Sequence, residues 1–157
     1  MQIVIVSDTH SQNEILECLE KKYKNAYAYI HCGDLEDDPR LYPNWLIVKG
    51  NNDYYGKFRD DFRIRVGKHK IYVTHSHRCS YLYREQNLVC LASEYGCDIV
   101  CYGHTHISKI KQLDNILLIN PGSARFPRDG KSPSYAILNI EDDIVDVEIV
   151  FQEDWDF

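Results

Sequence analysis

No apolar run in this chain approaches the length that crosses a bilayer, which excludes a membrane-spanning helix. The opening residues, Met1-Gln2-Ile3-Val4-Ile5-Val6, lack a basic leader and a cleavage site, so no secretory signal is expected. The six cysteines have neither C-x-x-C nor zinc-finger spacing, which excludes the common thiolate zinc modules. Cys18, Cys32, Cys90 and Cys101 fall among apolar residues and are expected to be small core side chains in a protein of the reducing cytoplasm. Positive charge is also short: 18 Lys and Arg against 24 Asp and Glu give a formal net charge of −6. Without a basic stripe there is no extended nucleic-acid face, although a nucleotide or short oligonucleotide is still an admissible substrate. Repeats, low-complexity stretches and linkers are absent. The 157 residues, 44% hydrophobic, are expected to form one domain over 1–157 with a sizeable core.

What is present is a series of short polar segments, nearly all directly after a short apolar run. They are Asp8-Thr9-His10, Gly33-Asp34, Gly50-Asn51-Asn52-Asp53, Thr74-His75-Ser76-His77 and Gly103-His104-Thr105-His106. Asp8 and His10 are two residues apart, as are His104 and His106, so each pair at a strand end can converge on one ion. Asp34 has two carboxylate oxygens to share. Mixed imidazole, carboxylate and amide ligation suits Mn, Fe, Co, Ni or Zn better than Ca or Mg. Two adjacent ions with a shared water make a hydrolytic centre for phosphate esters. Any one segment alone is weak evidence; five in order, at strand ends, are not.

That order, D-x-H, G-D, G-N-x-D, H and G-H-x-H, resembles the calcineurin-like metallophosphoesterases. The short chain, the T-H-x-H variant and Ile119-Asn120-Pro121-Gly122-Ser123 resemble their small YfcE-type phosphodiesterase branch. The resemblance implies one metal on Asp8, His10, Asp34 and His106, and another on Asp34, Asn51, His75 and His104. Asp34 and a water or hydroxide would bridge them. It implies two divalent ions, manganese first, with nickel, cobalt, iron or zinc as alternatives, and in-line attack on a small phosphate ester.

The superfamily pattern has a histidine where this chain has Asn52. An amide can donate a hydrogen bond but cannot deliver a proton. His77, two residues after His75, is the candidate replacement acid, and Asp53 the candidate for orienting Asn52 and a metal-bound group. His31, inside an apolar run, is expected to be a structural histidine, and His69, in a turn-like Gly67-Lys68-His69-Lys70, to be solvated. The Asn120–Ser123 stretch is either an ordinary turn or a loop packed under the site. Arg125, Arg128 and Lys131 are expected in a solvated basic loop, although a guanidinium there could clamp a phosphate. Tyr54 and Tyr55 could line a cleft or be half-buried packing.

The patterning predicts strands at Ile3–Val6, Tyr27–Cys32 and Leu46–Lys49, and a helix over 12–23 opened by a Ser11/Glu14 capping box. It predicts a hairpin about Gly67-Lys68-His69 and a second helix over 80–95 with Leu82, Leu88, Val89, Ala92 and Tyr95 on one face. A strand at Asp98–Tyr102 follows, then two further hairpins, about Asp114-Asn115 and Glu141-Asp142-Asp143, and a frayed tail around Trp155. A β-α-β start and a β-rich second half point to an α/β fold, two sheets face to face with helices outside. A phosphomonoesterase or nucleotide phosphatase could use the same centre. The retromer scaffold subunit has the fold implied by the resemblance with a degraded metal site, so a non-catalytic interaction module is the rival from another class. Exposed hairpin edges could also pair between copies of the chain.

Overall fold

The computed structural model describes all 157 residues. The chain opens with β1 (Gln2–Val6), α1 (Glu14–Lys22), β2 (Ala28–His31) and β3 (Trp45–Ile47). The hairpin β4 (Asp61–Val66)–β5 (His69–Thr74) precedes α2 (Arg84–Glu94) and β6 (Ile99–Tyr102). Two hairpins follow, β7 (Ser108–Leu113)–β8 (Ile116–Pro121) and β9 (Ser134–Glu141)–β10 (Ile144–Phe151). One five-stranded sheet has the order β10-β9-β1-β2-β3, the other β4-β5-β6-β8-β7. The pairs β1/β2, β2/β3, β5/β6 and β6/β8 are parallel, and antiparallel hairpins form one edge of the first sheet and both edges of the second.

Side-chain alternation explains the layering. Ile3 and Ile5 face Ile71, Val73, Ile99 and Cys101 in the core between the sheets. Their neighbours Val4 and Val6 point the other way, onto Ile15, Leu16 and Leu19 of α1. Tyr72, Val100 and Tyr102 likewise meet Leu88, Val89 and Ala92 of α2. The result is the expected two-sheet α/β sandwich with helices on its outer faces. Truncating a fully buried Ile5 to Ala would cost about 2–5 kcal/mol. Parallel strands β1, β2 and β6 all end at the same edge of the sandwich, and that edge is where the polar segments gather.

Several local expectations are corrected. The Ser11/Glu14 capping box does not form: α1 starts at Glu14, and Asn13 before it makes no side-chain cap. Ser11 adopts a left-handed conformation and donates to the Glu36 carbonyl instead. The second helix begins at Arg84, so Leu82 is not on its buried face and is 76% exposed. Cys90 is exposed on α2, not in the core. His69 is not solvated; its Nδ1 lies 2.5 Å from Asp98 Oδ2. The Trp155 region is not frayed, because its indole packs 5.9 Å from the buried Tyr135 ring. Tyr54 and Tyr55 are not half-buried, being 78% and 75% exposed.

Candidate metal centre

Asp8, His10, Asp34 and His106 converge so that one ligand atom from each lies within 4.8 Å of the others. They come together for a different reason from the strand pleat. Asp8, His10, Asp34, His104 and His106 all have positive φ, as do Ser11, Glu36 and Ser76 around them. None is glycine, and this region is sparsely used by such residues; a cluster of them marks a strained functional edge. Each strand ends before its motif, and left-handed turns aim the side chains inward.

Two glycines make room for the carboxylates. A Cβ on Gly50 would overlap Asp34 Oδ1, and one on Gly103 would overlap Ser7 Oγ and crowd Asp8 Oδ2. Asp8 is fully buried, accepting from Ser7 Oγ at 2.5 Å and from the His104 N–H at 3.1 Å through Oδ2. Asp34 accepts the Asn52 N–H (2.8 Å) on Oδ1 and the Asn52 amide (2.7 Å) on Oδ2. The same two oxygens face different histidines: Oδ1 is 3.5 Å from His75 Nε2, Oδ2 is 4.0 Å from His10 Nε2.

Hydrogen bonds fix the imidazole tautomers and thereby test whether a cation fits. His106 Nδ1 donates to the Phe126 carbonyl (2.6 Å), and His75 Nδ1 to the Cys32 carbonyl (2.7 Å). His10 Nδ1 is 2.6 Å from the Glu36 carboxylate. A neutral ring that donates from Nδ1 carries a bare lone pair on Nε2. His10 Nε2 and His106 Nε2 then face each other at 3.2 Å, with Asp8 Oδ1 3.1 Å from His106 Nε2. That Oδ1 is buried without a hydrogen-bond partner. His75 Nε2 similarly faces the Asn51 amide oxygen at 3.1 Å, and the same oxygen is 2.8 Å from His104 Nδ1. Converging lone pairs need a positive charge between them, either a proton or a metal ion. The donor set of Asp8, His10, Asp34 and His106 fits a borderline divalent ion.

Without metal, protons take that place. Burial works against the charged forms of Asp8 and Asp34, but imidazole hydrogen bonds and charges outweigh it and hold both carboxyls low. Burial also opposes protonation of His75 and His106, yet the adjacent Asp34 and Asp8 carboxylates push both upward. His104 goes the other way, down to about 4, through burial and then the nearby charges of His75 and Arg84.

The remaining residues divide. Asn52 is bound to Asp34. Asp53, expected to orient Asn52, instead accepts the backbone N–H groups of Asp34 (2.9 Å), Gly50 (2.7 Å) and Glu36 (2.7 Å), tying two ligand loops together. His77 stands beside the second half, its ring 5.4 Å from that of His75 and 6.2 Å from that of His104. His31 is buried as expected, paired with Thr9 at 3.0 Å and held neutral down to about 3 by burial. The Asn120–Ser123 loop packs under the site: Ser123 is buried and donates to the Asp8 carbonyl at 2.8 Å. Glu36 was not foreseen. Its one signal was an acid two residues after Asp34. The carbonyl partners Cys32 and Phe126 have no side-chain signal.

A calcineurin-like phosphoesterase superfamily domain model matches residues 1–143. The chain is 39% identical over 156 residues to a probable metallophosphoesterase, YsnB, of Bacillus subtilis, covering 97% of this chain and 92% of that one. It is 30% identical over 164 residues to phosphodiesterase MJ0936 of Methanocaldococcus jannaschii, covering 90% and 94%. The solved structure of a predicted phosphoesterase from Streptococcus pneumoniae superposes with a TM-score of 0.90 at 31% identity, over 97% and 90% of the chains. Vps29 of Entamoeba histolytica, solved with zinc, shares the fold with a TM-score of 0.76 at 22% identity, over 96% and 99%.

Proposed function

The chain belongs to the calcineurin-like phosphoesterase superfamily, and from that premise we propose that it hydrolyses phosphate diesters at a pair of divalent metal ions. One observation supports this most: Asp34 presents its two oxygens to two separate sets of imidazole lone pairs. Asp8, His10 and His106 would hold one ion with Asp34; Asn51, His75 and His104 would hold the other. Such ions supply a water of lowered pKa and neutralise charge on the phosphoryl oxygens. The chain's own contribution is to hold the ligands rigid. Asp53 fixes the Asp34 and Gly50 loops, Glu36 sets the His10 tautomer, and the Phe126 and Cys32 carbonyls set those of His106 and His75.

Asn52 has no proton to give, and its amide is already engaged by Asp34. Burial and the charges of His75 and Arg78 depress His77, so it is neutral near pH 7. His77 lines the second half beside His75 and His104, and the rate of His77→Ala on an ester with a poor leaving group tests whether it also donates the proton. Esters of good leaving groups are the preferred substrates, which favours aryl diesters over alkyl ones. Bis-p-nitrophenyl phosphate tests the assignment: metal-stripped protein is titrated with Mn²⁺ beside Asp34→Asn. Activity that rises with metal and is lost in the variant supports it. Silence with Mn²⁺, Ni²⁺, Co²⁺ and Zn²⁺ alike would leave the non-catalytic, Vps29-like scaffold as the better reading.

A further inference from the structure

The segment 125–128 borders the buried half of the centre but supplies no metal ligand. Its backbone is fastened to the site on three sides. Ser123 Oγ accepts the Arg125 and Phe126 N–H groups (3.1 and 2.8 Å), the Phe126 carbonyl holds His106, and the Arg128 N–H donates to the His106 carbonyl at 2.9 Å. Its side chains are left uncommitted. The Phe126 ring stands 5.6 Å from the His10 ring, yet is 50% exposed. The Arg125 guanidinium lies over Phe126, 4.6 Å from the ring centroid. Arg40, Arg63 and Arg78 pair with carboxylates and Arg84 with Ser76; Arg125 and Arg128, like Arg59 and Arg65 away from this segment, have no carboxylate partner. In a chain of net charge −6, two guanidiniums without a carboxylate partner and a half-exposed aromatic ring thus sit together on the segment that borders the buried acidic ligands.

We propose that Arg125, Phe126 and Arg128 form the substrate-recognition rim of the centre. The guanidiniums hold the anionic oxygens of the phosphate ester, and the exposed part of Phe126 takes its planar organic group. A guanidinium's planar fork matches phosphate oxygens, and an aromatic face selects aryl or heteroaryl esters over alkyl ones. The proposal rests on the phosphodiesterase assignment above, so its test includes binding as well as turnover.

The Mn²⁺-loaded full chain is compared with Arg125→Gln/Arg128→Gln, Arg125→Lys/Arg128→Lys and Phe126→Ala. Affinities for p-nitrophenyl phosphate and inorganic phosphate come from calorimetry, and KM and kcat from bis-p-nitrophenyl phosphate. The Gln pair should weaken both ligands and raise KM by about ten- to a hundredfold, with kcat falling much less. The Lys pair should recover part of this loss. Phe126→Ala should weaken the aryl ligand about two- to tenfold and leave inorganic phosphate unaffected. Equal binding by wild type and the Gln pair, or equal loss of both ligands in Phe126→Ala, would overturn the rim. Should a variant fail to fold, the salt dependence of phosphate binding by wild type decides, and an affinity indifferent to salt counts against the arginines. A wild type that binds as described but turns nothing over removes the enzyme assignment and leaves the rim standing.

Discussion

The two halves of the ligand cluster meet at Asp34 but are held to different standards. On one side Asp8 and His106 are buried, and His10 and His106 each have their Nδ1 tied to Glu36 or to the Phe126 carbonyl. On the other side only His75 is buried and tied; Asn51 is exposed, and His104 touches the Asn51 amide, itself a ligand candidate. Orienting bonds lower the cost of assembling a metal site, because the ligands lose less freedom when the ion arrives. Two ligand sets that differ in residue type only by Asp8 against Asn51 are thus built side by side, one as a rigid cup and the other open. The cup should fill first, and calorimetry on metal-stripped protein should resolve two classes of Mn²⁺ site.

The largest effect should follow from removing what the halves share. Asp34→Asn deprives both of a charged oxygen and is expected to lower kcat/KM by about 10³-fold or more, with both classes of metal site weakened. Glu36→Ala then tests the bracing of the cup alone. It should weaken the tighter class by about 10- to 100-fold and leave the weaker class in place. Asn51→Ala should do the reverse. Equal effects of both variants on both classes would erase the distinction. A smaller effect is expected from Gly103→Ala, whose added methyl meets Ser7 and Asp8. Thermal unfolding of the metal-free protein should show a loss of about 1–3 kcal/mol.

The ligand identities and the layered fold were legible in the sequence because they rest on residue type, motif order and apolar period. The geometry that joins them was not. Spacing of two between Asp8 and His10 suggested a pleat, yet both residues are left-handed, and no glycine announces it. Ser11 looked like a helix cap, but a tertiary partner, the Glu36 carbonyl, took its hydroxyl. Leu82 was in phase with the α2 stripe, but the helix begins two residues later, at Arg84. Backbone acceptors such as the Phe126 and Cys32 carbonyls carry no residue signature at all, so the bracing of the cup could be found only in three dimensions.

His106 and His104 differ in how they take protons when no metal is present, and this is the subtlest way to tell these two ligand candidates apart. His106, in the cup, has its pKa raised above 6.5, the adjacent Asp8 carboxylate outweighing burial. Its contribution to stability is fully present below pH 6.5 and is lost as pH rises through the raised value. His104, in the open half, is depressed to about 4. Between pH 6.5 and about 4 the unfolded chain takes up a proton there that the native one refuses, so His104 costs stability as pH falls through that window. Proton NMR of the metal-free protein should therefore show His106 still charged above pH 6.5 and His104 already neutral below it. Replacing His106 with Gln should flatten the decline in unfolding temperature on the alkaline side, and replacing His104 with Gln the decline on the acid side. If both rings titrate together near 6.5, the Asp8 carboxylate does not hold a proton on His106 and burial does not keep one off His104.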